Sequence, residues 1–214
     1  EPLSFKTALK QSLAALTVSL ATPNRIGDYG AKAMYFSPEN RKQILLLNFF
    51  SNSVQMVVSC FFGSIGLAYV IQKNAISFST TKILLFVLGI LLLSLFGYIF
   101  RKKQLILKGL SLSKVMKYIR NLSGVIKTRI LVYSIVRYFI FSFLFYSLLL
   151  FFGATIPFIE AIPLIFTMYL LVSIIPTIII FDVVVRVGVA VWLFSMAGVP
   201  ELHILSTVVA MWLL

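Results

Sequence analysis

The chain has 214 residues, 60% of them apolar before its 11 glycines are added, and a mean hydropathy of +1.03. An ordinary soluble domain carries about 45–50% apolar residues with glycine included, so a water-soluble globule is excluded, and disorder with it. Nineteen Lys and Arg against six Asp and Glu leave a net charge of +13, and a single Cys excludes a disulfide-stapled domain.

What remains is an all-α, polytopic transmembrane helical bundle, in which the basic excess sets orientation and meets anionic headgroups. No nucleic-acid motif or basic low-complexity tail is present, so nucleic acid is not expected as a partner. The chain starts at Glu1 and stops at Trp212-Leu213-Leu214 within an apolar run, which reads as a fragment truncated at both ends.

In chain order, Leu9–Phe36 is weakly apolar and broken at Pro23-Asn24. A spanning helix needs roughly 17–25 apolar residues. Ile44–Ile71 meets that length with Asn48, Asn52 and Gln55 inside it, and Ile83–Phe100 meets it without a charge. Ile130–Gly153 is interrupted only by Arg137. Ala161–Gly198 is too long for one helix and contains Pro176, Asp182 and Arg186. A last run starts at Leu202.

Orientation follows from the basic residues. Residues 101–129 hold nine Lys and Arg and no acid, a cytoplasmic signal. Arg41-Lys42 also falls on the cytoplasmic side, whereas Gln72–Lys82 and Ala154–Glu160 read as outside. Within the basic segment, Leu112, Val115, Met116, Ile119, Leu122 and Ile126 recur at helical spacing, with Lys114, Lys117 and Arg120 off that face. The spacing predicts one amphipathic helix over 112–127 on the membrane surface. Its plain role is a connecting elbow, and its functional role is recognition of anionic lipid.

Two stretches share a pattern. Thr22-Pro23-Asn24-Arg25-Ile26-Gly27-Asp28 continues through Lys32 to Pro38-Glu39, and Ile175-Pro176-Thr177 continues through Asp182, Arg186 and Gly188 to Pro200-Glu201. Each has a Pro break, an acid, a base four residues later, and a Pro-Glu helix start. Three spanning segments separate the copies, so the second enters from the opposite face. The pattern predicts two inverted re-entrant or broken-helix hairpins, with repeat-like halves at about 9–71 and 161–214 joined by 72–160 in a single membrane domain. Backbone groups freed at Pro23 and Pro176 would be satisfied by protein or water, which implies a cavity.

The candidate cavity residues follow from cost. An acid inside an apolar block is expensive, which singles out Asp28 and Asp182. Arg25 and Lys32 flank Asp28 at i−3 and i+4, and Arg186 lies i+4 from Asp182. These sets read either as self-neutralising ion pairs or as a site for a charged headgroup. Asn48, Asn52 and Gln55 at i, i+4 and i+7 read as interhelical hydrogen bonding or as lining of the same cavity.

Glu39, Glu160 and Glu201 read as solvated or helix-starting acids, and Arg137 as a snorkelling side chain. His203 has no partner at metal-ligand spacing, Gly63-Ser64-Ile65-Gly66 is a weak nucleophile motif, and the glycine-x-glycine-aspartate motif of intramembrane proteases is absent. No metal, cofactor or catalytic group is expected.

The run Ala21 to Lys32 resembles the proline–glycine–acid signature of the lysylphosphatidylglycerol synthase/flippase membrane-region family. The block from Ile175-Pro176 through Asp182 and Arg186 to Gly188 is similar to that family's second motif. The resemblance covers most of the chain and is to stand-alone bacterial members lacking the synthase domain. It implies a multi-pass protein of the bacterial inner membrane that moves lipids or lipid-linked glycans between leaflets. By that resemblance Pro23, Arg25, Gly27, Asp28 and Lys32 line the first hairpin, and Asp182 and Arg186 the second. Ile178-Ile179-Ile180 departs from the family where a Gly-containing turn would be comfortable.

The expected function is therefore a non-enzymatic lipid flippase whose partners are anionic or zwitterionic phospholipids, with homo-oligomers compatible. The alternatives are a membrane enzyme acting through Asp28 and Asp182, and a non-catalytic scaffold subunit.

Overall fold

A computed structural model describes residues 4–20, 27–73, 112–174 and 179–213. Among these residues the chain is all-helical: α1 (Phe5–Leu20), α2 (Gly27–Met34), α3 (Pro38–Lys73), α4 (Leu112–Asn121), α5 (Gly124–Phe151), α6 (Phe158–Ile174), α7 (Ile179–Ser195) and α8 (Glu201–Leu213). Two of them, α3 and α5, are long and apolar enough to cross a membrane. The apolar run Ile83–Phe100 lies outside the described residues. The chain divides into one compact unit of Glu1–Asn74 with Arg129–Leu214 and a second of Ala75–Thr128.

In the first unit, the C-terminal half of α3 packs against α6, and the other principal packings join α1 to α2, α2 to α3, α6 to α7 and α7 to α8. The α3–α6 contact is antiparallel and close because α3 carries glycines where the helices meet. A Cβ on Gly66 would stand 2.5 Å from the Pro163 carbonyl oxygen, and one on Gly63 would collide with Leu170 Cβ. Pro163 lies inside α6 and donates no backbone hydrogen bond, while its carbonyl accepts from Thr167 Oγ1 at 2.8 Å. The sequence Gly63-Ser64-Ile65-Gly66 is thus part of a helix-packing face, where small residues let backbones approach.

A cluster of Val58, Tyr138 and Phe166 joins α3, α5 and α6, bordered by Phe62, Ile135, Phe139, Ile162 and Tyr169. Its rings meet in edge and offset geometries, with Phe62 stacked on Tyr138 at 5.3 Å and Tyr138 edge-on to Tyr169 at 5.8 Å. Further along α5, Phe145 packs on Phe194 of α7 at 5.9 Å.

Helices α5 and α7 end alike. The amides of Gly153 and Ala154 bond back to Leu150 and Leu149, and those of Gly198 and Val199 to Ser195 and Phe194. Both glycines adopt positive φ, 91° and 73°, which closes a Schellman cap. Gly198 has open space around its Cβ position, so its constraint is conformational. Gly198→Ala is expected to cost about 1 kcal/mol and Gly198→Asn less, read as a shift in the thermal midpoint of the detergent-solubilised protein.

In the second unit the expected single helix over 112–127 is instead two. Helix α4 stops at Asn121, and α5 starts at Gly124 after a cap in which the Ser123 hydroxyl accepts from the Ile126 amide at 3.4 Å. Serine competes for backbone amides and so starts a new helix inside an otherwise continuous apolar pattern. The expected apolar face is also divided: Val115 is buried, while Met116 and Ile126 are exposed.

Candidate functional site

Helix α7 carries the clearest polar element in an apolar setting. Asp182 lies in its first turn, and Arg186 Nε donates to Asp182 Oδ2 at 2.9 Å across i,i+4. The Asp182 side chain is 13% exposed and that of Arg186 34%, so the acid is the more enclosed partner. Helix geometry alone brings them together, because residues four apart share a face. On α6, the Tyr169 hydroxyl donates to the Phe141 carbonyl of α5 at 3.1 Å, tying α5 to α6. One turn before Phe141, Arg137 is exposed and its guanidinium sits 5.7 Å from the Phe141 ring centre.

For the first hairpin, Pro23 and Arg25 lie outside the described residues, as do the side chains of Gly27 and Asp28. Lys32 is half-buried on α2. On α3, Asn48, Asn52 and Gln55 are half-buried, and Asn48 Nδ2 is enclosed without a hydrogen-bond partner among the described residues. Pro176 lies outside the described residues, between α6 and α7.

Among the described residues no principal helix packing joins α1 or α2 to α7 or α8, and the paired α3 and α6 connect the two groups instead. The glycine face of α3 accounts for this: it draws α6 into close contact, so α2 reaches α3 and α7 reaches α6.

A different polar contact lies where the sequence signalled none. Lys73 Nζ, at the end of α3, is 2.7 Å from Glu160 Oε1 in the first turn of α6. Glu160 therefore bridges two helices as well as starting one. Its hydrogen bond and charge raise the Lys73 pKa above the ordinary lysine value. A raised lysine stabilises the fold below its unfolded value and loses that contribution as pH rises through the folded value. The clasp is therefore expected to persist at neutral pH and to open as the lysine deprotonates above about pH 10. The pair borders a cleft with Tyr69, Val70, Leu164, Met196 and Ala197. Among the described residues, none of the expected cavity residues lines that cleft.

Nearby, His203 of α8 faces Gly153, with Cε1 3.7 Å from that glycine's Cβ position. His203 Nδ1 is enclosed and unpaired among the described residues, which also contain no group of three metal-ligating side chains. Two links, Lys73–Glu160 with Ala197 and Gly153–His203, thus bring the end of α3 to the start of α6 and the end of α7, and the end of α5 to the start of α8.

Comparison of the chain with family models, curated proteins and solved structures found no match.

Proposed function

We propose that the chain is a multi-pass protein of the bacterial inner membrane that moves phospholipids, or lipid-linked glycans, between leaflets. Membrane placement is supported by α5. Its buried face carries Ser134, Tyr138, Ser142, Phe145 and Leu149, while Leu131, Val136, Ile140, Phe143 and Leu150 point outward. Water favours the opposite distribution. Buried hydroxyls of Ser142, Thr167 and Thr207 bond to carbonyls one turn back, an internal solution suited to an apolar solvent.

Orientation is supported by the Lys73–Glu160 contact, since both residues fall in segments read as outside. In that placement α6 and α7, each 17 residues or about 25 Å, nearly cross the bilayer rather than turning at its midplane. The outer test position is the exposed Thr155. With Cys60 replaced by serine, an impermeant thiol reagent is expected to label Arg41→Cys only from the cytoplasmic side and Thr155→Cys only from the other. Labelling of both from one side overturns the arrangement.

The observation that carries the transport reading is the Asp182–Arg186 pair, a costly ion pair inside an apolar helix and partly accessible on its Arg side. Such a pair can exchange one internal partner for a zwitterionic or anionic headgroup while acyl chains stay in lipid. Reconstituted in vesicles with fluorescent phospholipid, the wild-type chain is expected to speed leaflet exchange, and Arg186→Gln to slow it at least tenfold. Wild-type rates in folded Arg186→Gln protein sink the assignment.

A further inference from the structure

The α4–α5 elbow is charged in a way the transport reading leaves unused. Residues 101–129 contain nine bases and no acid. On α4, Val115 is buried and Ile119 half-buried, while Lys117 and Arg120 are exposed on the other side of the helix. Lys127 reaches back across the elbow, and its Nζ donates to the Arg120 carbonyl at 3.1 Å. That bond satisfies a carbonyl in the last turn of α4 and holds a third cation at the bend. Around these bases Met116, Val125 and Ile126 are exposed, so the surface mixes apolar side chains with cations, and residues 101–129 contribute no carboxylate.

Each half of that mixture has a physical use at one kind of surface. Apolar side chains enter the acyl boundary while Lys and Arg stems lie along it and hold their charges among phosphates. A soluble acidic partner would leave Met116, Val125 and Ile126 unused. We infer that this elbow is an anionic-phospholipid contact, separate from the Asp182–Arg186 pair, that fixes the start of α5 at the membrane surface. The inference rests on the membrane placement of α5 and is independent of lipid transport.

The test uses the full chain in vesicles of phosphatidylglycerol or of phosphatidylcholine, and follows acylation of individual lysines by a permeant reagent. Lys117 is expected to react at least fivefold more slowly in phosphatidylglycerol, the protection that about one bound base provides near such a surface. Lys42, exposed near the start of α3, serves as reference. High salt, or Arg120→Gln with Lys127→Gln, is expected to restore the Lys117 rate. Equal rates at Lys117 in the two lipids overturn the inference, as does equal slowing at Lys42, which would report only the general vesicle potential. The wild-type comparison needs no variant to fold. Failure of leaflet exchange with Lys117 protected would count against transport alone.

Discussion

Gly66→Leu is expected to leave little folded protein. Its Cβ alone would fall 2.5 Å from the Pro163 carbonyl oxygen, 2.8 Å from Phe166 Cβ and 3.0 Å from Thr167 Oγ1. Two of these atoms belong to backbone or to the root of a side chain, so they cannot swing away, and α6 must move as a body. Gly66→Ala should cost about 1–3 kcal/mol, the usual range for overpacking. The larger leucine should cost about 4 kcal/mol or more, against a total stability of about 5–15 kcal/mol. Gly63→Ala should behave like Gly66→Ala, since its Cβ would meet Leu170 Cβ and the Phe166 carbonyl.

Gly188 supplies the contrast: it is helical, exposed and has open space at its Cβ position. Gly188→Ala should be neutral or stabilise by up to about 1 kcal/mol through helix propensity. Unfolding in mixed detergent, followed by helicity, measures all four. Wild-type stability in Gly66→Leu would show that α3 and α6 are not packed this closely.

Breaking the Asp182–Arg186 pair from one side is the second large effect. Asp182→Asn leaves the Arg186 charge beside an apolar helix and should cost about 2–3 kcal/mol, less than the ~3–5 kcal/mol of a fully enclosed pair because Arg186 is one-third exposed. Arg186→Gln removes the cation from the more enclosed carboxylate and should cost a similar amount. In the double variant neither charge is stranded, so its loss should fall short of the sum by about 1–2 kcal/mol. Strict additivity would mean that the two side chains do not stabilise one another. Should exchange fail in Arg186→Gln while the double variant folds well and also fails, charge at the site rather than packing is what transport requires.

The long helices were legible in the sequence and their ends less so. Apolar runs at Ile44–Ile71 and Ile130–Gly153 locate α3 and α5, yet the helices extend to Pro38–Lys73 and Gly124–Phe151. Hydropathy reports the stretch that avoids water, whereas helix ends are set by Ser37 and Ser123 at the starts and by Gly153 after α5. The single helix expected over 112–127 failed because the 3.6-residue period continues through Leu122 and Ile126 while Ser123 restarts the backbone.

Local chemistry divides from long-range chemistry in the same way. The Asp182–Arg186 contact could be read from spacing, because a helix of any sequence places i and i+4 side by side. Nothing in the spacing of Lys73 and Glu160, or of Tyr169 and Phe141, says that they meet. The sequence by itself determined an all-helical, apolar chain and the pairing within one helix, since these depend on residue type and backbone period. Only the tertiary structure decided that Gly63 and Gly66 let α6 approach α3 closely, and that α2 packs on α3 while α7 packs on α6. Which helices become neighbours depends on how closely two backbones can approach, and that is a property of two surfaces together.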